Sequence, residues 1–175
     1  MNIQEILTDK TIQAKGKVTA LGDGLLDQQI SCSEIIKIAN ISNDANKGTC
    51  VEALELATRK NPRLAQQVLF DFATESLSDK APRVRWEAAK VIGNIASLFP
   101  TKLDKAIPKL LINTEYSGTV VRWAAAFALG EIVKLCTKYN KDLLPTIETI
   151  LIREENNAIK KIYEKALKNV QKSSQ

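Results

Sequence analysis

Val84-Arg85-Trp86-Glu87-Ala88-Ala89-Lys90-Val91-Ile92-Gly93-Asn94-Ile95 returns further along the chain as Val121-Arg122-Trp123-Ala124-Ala125-Ala126-Phe127-Ala128-Leu129-Gly130-Glu131-Ile132. The shift is 123 − 86 = 37 residues. A repeat of that period marks one supersecondary unit stacked on copies of itself. The same shift carries Ile107-Pro108-Lys109-Leu110 onto Leu144-Pro145-Thr146-Ile147, so each unit has two halves. A third copy of the second half fits Ile159-Lys160-Lys161-Ile162 at a shift of 38, with Leu167 on Leu129 and Val170 on Ile132. Upstream, Ala53, Leu56 and Ala57 fit Ala89, Ile92 and Gly93 more weakly.

Both halves read as helices. After Pro82, apolar residues fall at Val84, Ala88, Val91, Ile92 and Ile95, the spacing of a buried helical stripe. After Gly118, Val121, Ala125, Ala128, Leu129 and Ile132 repeat it. Strand alternation is absent. Ser31-Cys32-Ser33-Glu34 has the form of a capping box ahead of Ile35, Ile36 and Ile38. The pattern predicts eight helices near 33–41, 47–60, 63–77, 83–98, 102–113, 119–138, 141–152 and 157–171. Residues 1–30 read as an irregular segment broken by Gly16, Gly22 and Gly24, with room for one or two short helices. The repeat region is then 31–175, in approximate units 31–61, 62–99, 100–139 and 140–172.

Asp79-Lys80-Ala81-Pro82-Arg83-Val84-Arg85, followed by Ala88-Ala89, resembles the signature of HEAT repeats, the armadillo-type α-solenoids. The resemblance is specific over 79–136, fair over 137–172 and loose over 33–78. It implies an all-α fold, a right-handed α–α superhelix of about four helix pairs whose second helices line a concave side. It also implies a structural ladder in which Arg85 and Arg122 tether neighbouring repeats through acidic side chains, with Asp79 the local partner of Arg85. Tyr116 stands where the next Asp is expected, which leaves that ladder incomplete.

A chain of 175 residues with 45% hydrophobic content is ample for one continuous core. Aromatics are 5%, and small and aliphatic residues dominate, as close helix packing requires. Cys32, Cys50 and Cys136 are odd in number, far apart and without zinc spacing, so reduced thiols in a cytoplasmic protein are expected, with no metal and no cofactor. Met1 is followed by Gln4, Glu5 and Asp9 rather than a signal peptide's apolar run, and no stretch approaches the ~20 apolar residues of a membrane span. The net charge of +5 is uneven: −1 over 1–60, +2 over 61–120 and +4 over 121–175.

The chain has no histidine, which removes the commonest general base and metal ligand and every Ser-His-Asp or Cys-His arrangement. Gly22-Asp23-Gly24 lacks the lysine and the third glycine of a phosphate loop. Some HEAT-like glycosylases for alkylated DNA place a catalytic Asp on the helical face of a Trp. Here the residue four after Trp86 is Lys90, and four after Trp123 is Phe127, so neither supplies that acid. A non-enzymatic scaffold is expected.

Two surfaces stand out. Trp86 lies about 200° around its helix from the buried Val84, on the half that carries Arg83, Lys90 and Asn94. Trp123 takes the same angle in the next unit, with Phe127 at i+4 and Lys134 nearby. On adjacent second helices the indoles are expected about 10 Å apart. They either pack between repeats or grip a peptide or protein partner, with Arg83, Lys90 and Lys134 contacting its acidic groups. The second surface is the last helix, where Lys161, Lys165, Lys168 and Lys172 fall within about 60° of arc. It is either the soluble outer face of a terminal repeat or a contact for nucleic-acid phosphates or an acidic partner. A monomer or weak homo-oligomer is expected. In the latter, Ile35, Ile36, Ile38 and Cys50 of an uncovered first repeat stack on a second molecule.

Overall fold

The computed structural model describes residues 1–173, which form ten α-helices and no strand. They are α1 Ile3–Thr8, α2 Ala14–Leu26, α3 Cys32–Ile41, α4 Asp44–Lys60, α5 Gln67–Ser76, α6 Pro82–Ile95, α7 Ala106–Asn113, α8 Thr119–Val133, α9 Asn140–Arg153 and α10 Asn157–Ser173. Short 3-10 turns, Pro62–Leu64 and Ala96–Leu98, precede α5 and close α6. Connections of two to five residues fold α1–α2, α3–α4, α5–α6, α7–α8 and α9–α10 into hairpins. The second helices pack in one continuous layer, α2 on α4 on α6 on α8 on α10, and the first helices form a looser layer behind it.

Helix starts follow local chemistry. The capping box at α3 is present: the Glu34 N–H donates to Ser31 Oγ at 3.2 Å and the Ser31 N–H donates to Glu34 Oε2 at 2.7 Å. Asn43 Oδ1 accepts from the Asn46 N–H at the start of α4. Pro82 occupies the first turn of α6, where no backbone donor is missed. The core runs the length of the stack through Leu21, Leu54, Phe70, Ile92, Leu110, Leu129 and Tyr163. Ala124, Ala125 and Ala126 are wholly buried at its centre, where larger side chains would hold the helices apart. All three cysteines are free thiols.

The N-terminal region departs from expectation. Gly16, Gly22 and Gly24 do not break it, because α2 runs through all three as a 13-residue helix. Two of them are contact points. A β-carbon on Gly22 would lie 2.6 Å from Leu56 Cδ2, and one on Gly24 would lie 2.6 Å from Met1 Sδ. Packing of this kind outweighs the ~1 kcal/mol each glycine costs a helix. With α1 it makes a fifth pair in the stack, so the repeat has one more pair than the sequence suggested. Ile35, Ile36 and Cys50 are buried as a result, and the uncovered first repeat expected for self-stacking does not exist.

Candidate functional site

Every second helix carries a cation at its fourth residue: Lys17, Lys47, Arg85, Arg122 and Lys160. Three of these clasp the turn before their own helix or the end of a first helix, and Lys47 reaches the turn before the next second helix. Lys17 Nζ donates to the Leu7 carbonyl at 2.6 Å. Lys47 pairs with the Asp79 carboxylate at 2.6 Å. Arg85 donates to the Asp79 carbonyl at 2.5 Å and to Asn113 Oδ1 at 2.9 Å. Arg122 donates to the Tyr116 carbonyl at 3.0 Å and pairs with Glu154 at 3.0 Å.

Two expectations are corrected here. Asp79 is not the side-chain partner of Arg85, because its carboxylate is taken by Lys47 and by the Ala81 N–H at 2.8 Å. Nor does Tyr116 interrupt the ladder. The Arg85 guanidinium lies 5.1 Å from the centre of the Tyr116 ring, and Asn113 supplies the oxygen. Burial opposes ionisation of Asp79 and Glu154, but Lys47 and Arg122, with backbone N–H donors, hold both carboxyls below the usual range. Sequence reasoning missed Lys17, Lys47, Asn113 and Glu154. The signal for Lys47 was available, since a shift of 38 carries it onto Arg85.

The aromatic surface lies on the second-helix layer at α8, the fourth of its five rungs. Trp123 and Phe127 of α8 stack with centroids 6.1 Å apart and planes within 6°. Trp123 remains 38% exposed. Phe127 reaches across to α6, where a β-carbon on Gly93 would lie 2.6 Å from its ring. Gly93 is therefore the seat of Phe127. Val120, one turn before Trp123, is 51% exposed and extends the apolar edge. Trp86 is half-buried against the core, and its indole N–H donates to Glu87 Oε1 at 2.6 Å. Burial pushes the Glu87 carboxyl above the usual range, against the pull of Lys90 and of Trp86.

The polar residues expected beside the tryptophans all have internal partners. Arg83 pairs with Glu52 at 2.5 Å. Lys90 lies 2.8 Å from Glu87 and 3.6 Å from Glu55. Lys134 pairs with Glu131 at 2.5 Å. Asn94 donates to Thr58 Oγ1 at 3.3 Å and to the Glu55 carbonyl at 3.4 Å. The structure thus brings Trp123 and Phe127 together at an open surface, and ties Arg83, Lys90 and Asn94 to α4 beneath it. Lys161, Lys165, Lys168 and Lys172 project from α10, exposed and without an ion pair among the described residues. Among the described residues no group of three or more metal-type side chains converges, and no helix is long and apolar enough to cross a membrane.

No family profile matches the sequence, and among curated proteins none matches it. Solved structures do. The chain is similar to an engineered protein at a TM-score of 0.75 and 18% identity, over 97% of this chain and 80% of the other. It is similar to computationally designed armadillo repeat proteins for modular peptide recognition at 0.71 and 17%, over 95% and 80%. A designed armadillo repeat protein in complex with the peptide (KR)4 follows at 0.65 and 18%, over 96% and 80%. The fold is therefore that of an armadillo- or HEAT-like α-solenoid, a right-handed stack of helix pairs.

Proposed function

We propose that the chain is a non-enzymatic scaffold that holds a peptide or protein segment against the concave face of its second helices. The observation that carries this is the Trp123–Phe127 stack, an aromatic pair on the second-helix layer whose Trp123 is open to solvent and whose Phe127 is seated on Gly93. Rigid, partly exposed aromatics with a packed base are what binding hot spots are made of. Designed neighbours of the same fold recognise peptides, which supports the class of partner. Trp86 flanks the site but is half committed to Glu87. The internal pairing of Arg83, Lys90 and Lys134 makes the centre of the face electrically balanced, so its contribution is apolar area and shape.

A random-peptide display on the folded protein, followed by affinity measurement of the selected peptides, tests this. Trp123→Ala is expected to weaken the selected peptides at least tenfold, or about 1.4 kcal/mol. If the variant keeps its helical circular dichroism and its affinities, the aromatic face is not the site.

A further inference from the structure

Two groups of cations flank the aromatic pair on the second-helix layer. Arg83, Lys90 and Lys134 are neutralised by Glu52, Glu87 and Glu131. On α10, Lys161, Lys165, Lys168 and Lys172 are unpaired among the described residues, with Glu164 the one carboxylate exposed among them. The unpaired positive charge beside the aromatic rung is thus concentrated on α10.

That helix is the direct neighbour of the aromatic rung. Gly130 of α8 sits against Ile162 and Ala166 of α10, at 3.6 and 3.4 Å from where its β-carbon would be. The 38-residue shift between the two helices carries Trp123 onto Lys161 and Phe127 onto Lys165. The lysines therefore hold, on the next rung, the positions that the aromatic pair holds on α8.

We propose that the α8 aromatics and the α10 lysines form one composite site for an acidic peptide with an apolar anchor. This rests on the scaffold reading above and adds the chemistry of the partner. The anchor side chain lies on Trp123, Phe127 and Val120, and carboxylates of the same peptide reach Lys161 and Lys165. Packed helices stand about 10 Å apart, and an extended chain advances about 3.3 Å per residue, so the acidic residues fall about three positions from the anchor. A nucleic acid fits less well. A phosphate backbone continuing along the layer meets Glu52 and Glu131, and the exposed Val120 offers an aliphatic edge where a base needs a π-face.

The test uses two labelled peptide libraries with a fixed Leu anchor, one with Asp or Glu three residues away and the other with Lys or Arg there. A single-stranded oligonucleotide is the third probe. The acidic library is expected to bind at least tenfold more tightly than the basic one. Lys161→Glu/Lys165→Glu is expected to abolish that preference, and added salt to weaken binding to wild type. Failure of the acidic library to bind, or an unchanged preference in the double variant, overturns the composite site. Binding lost in Trp123→Ala but indifferent to the lysines leaves the scaffold reading standing without it. Lysine-dependent oligonucleotide binding tighter than that of the acidic peptides overturns the assignment of the partner. The substituted lysines are exposed, and helical circular dichroism checks that the variant is folded.

Discussion

Gly93 and Gly130 occupy the same position in successive second helices, yet a methyl group meets different surroundings at each. At Gly130 the nearest atoms to an added β-carbon are Ala166 Cβ at 3.4 Å and Ile162 Cγ2 at 3.6 Å, ordinary contact distances. Gly130→Ala therefore keeps the helix-propensity gain of about 0.5–1 kcal/mol. It is expected to raise the melting temperature by about 2–4 °C per kcal/mol in a chain of this size. At Gly93 the β-carbon would lie 2.6 Å from Phe127 Cε1 and 3.2 Å from the Ala128 backbone. Gly93→Ala is expected to destabilise by about 1–3 kcal/mol, as overpacking does, and to displace Phe127 from Trp123. Thermal melts of the two variants, with Trp fluorescence for the second, decide it; shifts of the same sign contradict the seat assigned to Phe127. That both glycines need a packing reason was legible from their place inside helical stripes. Which neighbour fills the gap was not, because that depends on the register of the facing helix.

At the level of elements, the cation ladder ties α2 to α1, α4 to the α5–α6 turn, and α6 and α8 each to the turn before it and to the next pair. Its least expected member is Asn113, fully buried at the end of α7. It donates to the Leu77 carbonyl at 3.0 Å while accepting from Arg85 at 2.9 Å. Asn113→Ala leaves both the carbonyl and the guanidinium short of a partner in a buried place, and is expected to cost about 2–4 kcal/mol in urea unfolding. Removing the exposed Lys80–Asp44 pair by Lys80→Ala is expected to cost under about 1 kcal/mol. Equal losses for the two variants contradict the ladder account. The sequence showed Arg85 and Arg122 as recurrent, and it showed Tyr116 in place of the acid. It did not show that the acceptor comes from three residues upstream, because an amide oxygen at the end of α7 can replace the acid without leaving a mark in the repeat pattern. Similarly, the loose match over 33–78 hid Glu52 and Glu55, the partners that neutralise Arg83 and Lys90. The two-faced α10 was plain from its period alone.

The molecule as a whole is a one-dimensional stack, so its stability depends on the interfaces between neighbouring pairs. Two of these interfaces are held by carboxylates: Asp79 joins α4 to the α5–α6 hairpin, and Glu154 joins α8 to α9. Burial disfavours their charge, but Lys47 and Arg122 prevail and lower both pKa values. Relative to ordinary values of 3.8 and 4.5, the unfolded chain then binds more protons in this range, so stability rises with pH. Their contribution is complete above those ordinary values and is lost as pH falls through the depressed ones. Glu87 runs the other way, since its raised pKa favours the folded state below the ordinary 4.5 and disfavours it once pH exceeds the raised value. Acidification from pH 5 to pH 3 is therefore expected to weaken these two interfaces while sparing the Trp86–Glu87 contact of α6. Urea midpoints across this range are expected to fall for the wild type and to fall less steeply for Asp79→Asn/Glu154→Gln. The double variant is expected to be less stable at neutral pH, by roughly 1–3 kcal/mol for each charge-assisted bond lost. An acid slope identical in both proteins would place the acid-sensitive contacts elsewhere in the stack.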